Sequence, residues 1–243
     1  MTIKKKWETK EMKKIQNVTA VAAMMLFVMA ILLTSFQVAI YGDSEYRFYE
    51  KEYEKYQVAD SLDMEMTDIM DVTEQMMDYL IGKKAELSVI TDVDGRTQDF
   101  FNDQDRFHMG EVKDLFLGGL KIRNGLLVAV VILIILLILS KAETGRILPR
   151  AYFIALGIFG VLTVVLGGLF ASDFNRYFTI FHEIFFDNDL WMFDPATDYM
   201  IRMLPEGFFF DFVMRIGSFF IGGLLLTGVL AVLWIKNGKK KNN

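Results

Sequence analysis

The chain contains two histidines, His108 and His182, and each stands among groups that could work with an imidazole. Asp105 and Glu111 lie three residues to either side of His108, so on a helix both carboxylates share its face. His182 is followed by Asp187, Asn188 and Trp191, ahead of an Asp194-Pro195 turn. Imidazoles that titrate near neutral pH suit general acid–base chemistry, and a neighbouring carboxylate is expected to raise the pKa and fix the tautomer. Metal binding is a competing use of the same atoms. His182-Glu183 opens like a zinc-protease helix, but Phe186 stands where the second histidine of His-Glu-x-x-His belongs. Two histidines with carboxylates still make a conceivable cation site, and each histidine alone also fits an ordinary exposed or structural role. Gly-x-Ser-x-Gly, a Gly-rich phosphate loop on the outward segments and a basic nucleic-acid patch are all missing from the sequence. The chain has no cysteine, which excludes a thiolate nucleophile, a disulfide framework and a zinc ribbon.

The elements that must position these residues are set by composition and its distribution. The 243 residues are 53% hydrophobic yet 23% charged, and the two kinds are segregated into blocks, unlike a uniformly patterned globular domain. A bilayer core takes about 20 apolar residues to cross, and four stretches qualify: 18–41, 122–140, 151–171 and 212–235. The first is too long for a signal-peptide core, and no Ala-x-Ala cleavage site follows, so it reads as a retained anchor. Orientation follows the basic flanks. Segments 1–17, 141–150 and 236–243 hold Lys4, Lys5, Lys6, Lys10, Lys13, Lys14, Lys141, Arg146, Arg150, Lys236, Lys239, Lys240 and Lys241. Of the 31 acidic residues, all but Glu8, Glu11 and Glu143 fall in 42–121 and 172–211. Both termini are therefore expected in the cytoplasm, with the two acidic segments outside. Arg123 and Arg215 sit at outward span edges, where headgroup anchoring is the simplest use. Glycines recur in the third and fourth spans, consistent with close helix packing around a lipid or simply with the frequency of glycine in membrane helices.

The expected fold is an all-α membrane protein. Four transmembrane helices carry a mainly helical extracytoplasmic subdomain at 42–121 and an interfacial segment at 172–211. In the subdomain, Tyr46, Tyr49, Tyr53 and Tyr56 mark one helix face, and Leu62, Met66, Ile69, Met70, Thr73, Met77 and Leu80 mark a second stripe ended by Gly82. Leu87–Thr91 alternates and Asp94-Gly95 signals a turn. A further helix is expected to start at Asn102 or Asp103 as N-cap and to carry His108. If that helix ran straight to Ile122, its 14 residues would lift the imidazole about 21 Å above the hydrocarbon, well beyond a headgroup layer about 5–8 Å deep. Gly118-Gly119 is the expected place for it to bend.

Two segments, FNDQDRFHMGEVKDLF and YFTIFHEIFFDNDLWMFDPATDYMIRMLPEGFFFD, together with the four-span plan, resemble the lipoprotein intramolecular transacylase family of bacterial membrane proteins. Asp105 and Glu111 stand where the family pattern has Glu and Asp. The resemblance implies transfer of the sn-2 acyl chain of a diacylglyceryl lipoprotein to the α-amine of its N-terminal cysteine, giving the N-acyl, S-monoacylglyceryl (lyso) form. It implies His108 and His182 as the catalytic pair. Asp105, Glu111, Asp187, Asn188 and Trp191 are supporting candidates from the residues around them, and Asn188, Trp191 or backbone N–H groups are the candidate oxyanion donors. No enzyme nucleophile is required, since ester and amine belong to one substrate, and no metal or cofactor is expected, since aminolysis of an ester to an amide runs downhill. The expected partners are outer-leaflet diacylglyceryl lipoproteins and membrane lipid, not nucleic acid, at a multi-pass bacterial plasma-membrane location. A metal-dependent outer-leaflet lipid hydrolase and a non-enzymatic membrane sensor or accessory protein are the alternatives.

Overall fold

The structure is a computed structural model that describes residues 3–240, with side-chain surroundings for 10–236. Lys241 of the basic tail lies outside the described residues, and so do the side chains of Lys4, Lys5, Lys6, Lys239 and Lys240. The elements, in chain order, are α1 (Ile3–Tyr41), α2 (Arg47–Lys55), α3 (Val58–Leu62), α4 (Met66–Leu80), β1 (Ile90–Val93), β2 (Arg96–Asp99), α5 (Asp103–Leu139), α6 (Thr144–Ser172), α7 (Phe174–Phe185), α8 (Tyr199–Met203) and α9 (Glu206–Lys240). Among the described residues, four helices are long and apolar enough to cross a membrane: Lys10–Tyr41, Asp103–Leu139, Thr144–Ser172 and Glu206–Lys236. The chain divides into two compact units, one of 1–36, 120–167 and 216–243, the other of 37–119 and 168–215.

The membrane unit is held by small residues that let helices approach. Ala20 and Ala23 of α1 and Ala151 and Ala155 of α6 are buried in one cluster with Met24, Val28, Phe159, Phe220 and Leu224. Two polar ties reinforce it. The Tyr152 hydroxyl donates to the Leu224 carbonyl at 2.6 Å and shares a 2.7 Å hydrogen bond with Thr227, and the Gln16 amide donates to the Ser140 carbonyl at 3.0 Å. Outside a water environment such partners matter because an unmet polar group costs several kcal/mol, on the order of 2–7. Most glycines of α6 and α9 are not packing contacts. Gly157, Gly160, Gly167, Gly168, Gly217 and Gly222 have nothing within 4 Å of a Cβ added there, whereas at Gly223 the added carbon would meet Ile31 at 2.8 Å.

The second unit has its own core. Tyr49 and Tyr53 from α2, Ile69, Val72, Met76 and Met77 from α4, Val93, Phe100 and Phe101 from the hairpin region, and Met200, Met203 and Phe208 form one buried cluster. The expected tyrosine face is therefore core: the Tyr53 hydroxyl shares a 2.8 Å hydrogen bond with Thr73. The stripe from Leu62 to Leu80 is not one helix, because Asp63 turns left-handed at φ 49° and α4 starts afresh at Met66. The β1–β2 hairpin pairs Ile90 with Asp99 through Val93 with Arg96. Asp94 and Gly95 both take positive φ, 50° and 68°, as a type I′ turn demands. The Arg202 guanidinium, on α8, donates to both Asp94 carboxylate oxygens and fixes the turn.

One expectation fails outright. α5 does not break at Gly118-Gly119 but is one continuous helix from Asp103 to Leu139. Two glycines cost about 1 kcal/mol each relative to alanine, yet they leave the hydrogen-bond ladder intact, and α5 contains no proline to interrupt it.

Candidate functional site

The start of α5 is a reciprocal cap. The Asn102 side chain accepts a hydrogen bond from the Asp105 N–H at 2.9 Å, and the Asp105 carboxylate accepts from the Asn102 N–H at 2.9 Å. This is a capping box with aspartate at the third helical position. The Asn102 amide also donates to Asp198, a buried carboxylate from the segment between α7 and α8. Asp105 is 0% exposed. Burial pushes its carboxyl up to about 6, opposed by the Asn102 N–H and aided by Asp198. One oxygen, Oδ1, has no partner.

One turn on, His108 is 6% exposed within the turns of α5 that belong to the second unit. Phe186 and Phe193 meet its ring edge-on at centroid distances of 4.9 and 5.4 Å. His182, 7% exposed on the last turn of α7, stacks against it at 5.9 Å and 29°. Trp191 lies at 4.8 Å and 30° from the His182 ring, and Phe178 at 4.3 Å. The two histidines, 74 positions apart in the chain, thus share one aromatic box.

The electrostatics of the box overturn the expectation that adjacent carboxylates raise the imidazole pKa. Burial lowers His108 to about 4, with His182 adding to the effect. Burial also lowers His182, partly offset by the Phe178 carbonyl. Desolvation of the charged form outweighs the acids because the nearest, Glu111, approaches His108 Nδ1 only to 4.0 Å. His182 Nδ1 lies 2.7 Å from the Phe178 carbonyl. A carbonyl can only accept, so Nδ1 carries the proton and Nε2 is left with a lone pair.

Glu111 is tied from the other side: Asn188 donates to its Oε1 at 2.8 Å, while Oε2 and His108 Nδ1 remain buried without partners. Asn188 also accepts from the Leu190 N–H at 2.9 Å, so in this state its amide is engaged on both ends. Gln104 donates to the Leu190 and Met192 carbonyls at 3.0 and 3.1 Å. The loop after α7, which carries Trp191, is therefore strapped to α5 at two points. Asp187 is exposed and has no hydrogen bond or ion pair to either imidazole. The sequence offers Asn102 only as a helix cap and gives no role to Gln104, Asp198, Phe178 or Phe193. For Gln104 the signal was there: 104, 108 and 111 follow the i, i+4, i+7 spacing of one helix face. Among the described residues no three His, Asp or Glu side chains are grouped as a metal site.

The site can accept and return a proton in a water-poor, aromatic setting, with carboxylates behind one imidazole. A family model described as lipoprotein intramolecular transacylase Lit matches residues 21–209. A search of curated proteins finds no match. Among solved structures, the membrane integral lipoprotein intramolecular transacylase Lit from Bacillus cereus superposes with a TM-score of 0.74 at 24% identity, covering 95% of this chain and 99% of that one. Two further structures of the Bacillus cereus protein, in which one histidine is mutated to arginine or to alanine, give 0.72 and 0.71 at 22% identity. They cover 98% and 96% of this chain and 98% of theirs in both cases. The likeness in structure establishes the four-span, mainly helical fold.

Proposed function

Because the chain belongs to the lipoprotein intramolecular transacylase Lit family, we propose that the stacked His108–His182 pair is where this membrane-integral acyltransferase carries out its proton transfers. The substrate is a diacylglyceryl lipoprotein in the outer leaflet. Its cysteine α-amine attacks the sn-2 ester carbonyl, the C–N bond forms, and the C–O bond to glycerol breaks. The products are an amide and a glycerol hydroxyl, so one proton must leave nitrogen and one must reach oxygen. Holding ester and amine together can replace an enzyme nucleophile, since effective molarities reach about 10⁵ M or more.

The observation that carries this reading is the tautomer of His182. With Nδ1–H bound to the Phe178 carbonyl, Nε2 is the one basic atom of that ring and takes the amine proton. His108 shares the box with Glu111 4.0 Å from its Nδ1, so a proton taken up by His108 puts its positive charge beside that carboxylate. Both imidazoles are neutral at rest, and the proton returned to glycerol is the one the amine gave up. Asp105, Glu111 and Asn188 position, and Trp191 walls the base. The basic flanks Lys141, Arg146, Arg150 and Lys236 support the reading of cytoplasmic termini and a reaction at the outer face of a bacterial plasma membrane.

Mass spectrometry of lipoprotein N-termini tests this in a host that makes only diacylglyceryl forms. Expression of the chain should convert them to N-acyl, S-monoacylglyceryl forms, and His108→Ala or His182→Ala should leave them unconverted. Free fatty acid with an unacylated amine would mark a hydrolase instead, and full conversion by either variant would sink the acid–base assignment.

A further inference from the structure

We infer that the membrane unit binds one acyl chain of an anionic phospholipid in an apolar crevice at the end of the bundle where α6 begins. The crevice has a volume of about 220 Å³ and is lined by Met24 and Phe27 of α1, Leu148 and Tyr152 of α6, and Ala231 and Trp234 of α9. A methylene takes up roughly the volume of a water, about 30 Å³, so the space holds on the order of seven carbons of a chain. The two hydroxyls of the lining, those of Tyr152 and Thr227, are already engaged with each other and with backbone carbonyls of α9. The crevice is open and its lining is almost wholly apolar, and in a bilayer the apolar molecule at hand is a lipid tail.

Charge selects the headgroup. Arg146 and Arg150 flank the Leu148-Pro149 wall, Lys141 precedes it, and Lys236 lies two residues beyond Trp234; all four are exposed. The one acid in this loop, Glu143, approaches Arg146 at 3.7 Å and leaves a net excess of positive charge. Trp234 is 60% exposed, as an indole of the interfacial belt is. A tail-shaped crevice beside clustered cations fits an amphiphile with a negative head. None of these residues belongs to the histidine box, so the inference stands or falls apart from the catalytic proposal.

Native mass spectrometry of the full chain in neutral detergent tests it, with phosphatidylglycerol and phosphatidylcholine of identical chains as probes. Phosphatidylglycerol should form a single adduct at a concentration about fivefold or more below that needed for phosphatidylcholine, as expected per base near a headgroup. Ala231→Phe fills the crevice and should weaken both adducts. The double variant Arg146→Gln, Arg150→Gln should abolish the preference while keeping the phosphatidylcholine adduct. Equal binding of the two lipids by the unmodified chain, a preference that survives the double variant, or adducts unchanged in Ala231→Phe would each overturn the inference. Should Ala231→Phe fail to fold, the double variant alone decides.

Discussion

At the level of single residues, Glu111 and Asp105 look alike in sequence and have different work in space. Asp105 is half of a helix cap, so Asp105→Ala should cost about 0.5–2 kcal/mol of stability, read as a lower melting temperature. Asp105→Asn keeps the acceptor for the Asn102 N–H and removes the buried charge. It should restore the loss, most of all above pH 6, where the native carboxyl ionises. Glu111 is held by Asn188 and faces His108. Asn188→Ala should lower kcat about tenfold or more with KM little changed, as loss of a hydrogen bond to a charged group predicts; a pure KM effect would contradict the positioning role. The pH profile follows from the same box. The base must be neutral, and burial lowers its pKa, so protonation removes activity only as pH falls below 6.5. On the other side, activity should rise as the substrate amine, near 7.7–8.0, loses its proton. An acid limb centred at 6.5 or above would refute the desolvated box.

At the level of elements, the sequence was most readable where the physics is local. Asn102 as a helix start, Asp94-Gly95 as a turn, the apolar spans and the tyrosine face of α2 all follow from neighbours within a few positions. Both histidines could be picked out as chemistry-bearing, but their meeting could not, nor could the Asn188–Glu111 tie, because these contacts span 74 and 77 positions. The Leu62–Leu80 stripe concealed a break at Asp63, since a period of 3.6 survives a short irregular turn between two helices. At Gly118-Gly119 the reverse holds: low local helix propensity does not break a helix whose hydrogen-bond ladder is continuous. A Cβ at either glycine meets nothing within 4 Å. The double change Gly118→Ala, Gly119→Ala should therefore raise stability by about 1–2 kcal/mol and preserve activity. Lost activity in a well-folded double variant would show that flexibility there is used.

For the whole molecule, the absence of cysteine makes every introduced thiol a unique reporter of sidedness. In intact cells an impermeant maleimide should label Asp60→Cys and spare Arg146→Cys; the opposite pattern would invert the proposed topology. The same chain carries a concealed conflict between durability and turnover. Asp105 Oδ1, His108 Nδ1 and Glu111 Oε2 are all buried and unpartnered in the resting structure, and each such atom costs on the order of 1–3 kcal/mol. The resting protein is thus less robust than its own architecture permits. His108→Phe fits the same aromatic enclosure and removes one of these debts. It should melt at a higher temperature than the parent while converting no substrate, which makes the dead enzyme the better specimen for trapping a bound lipoprotein.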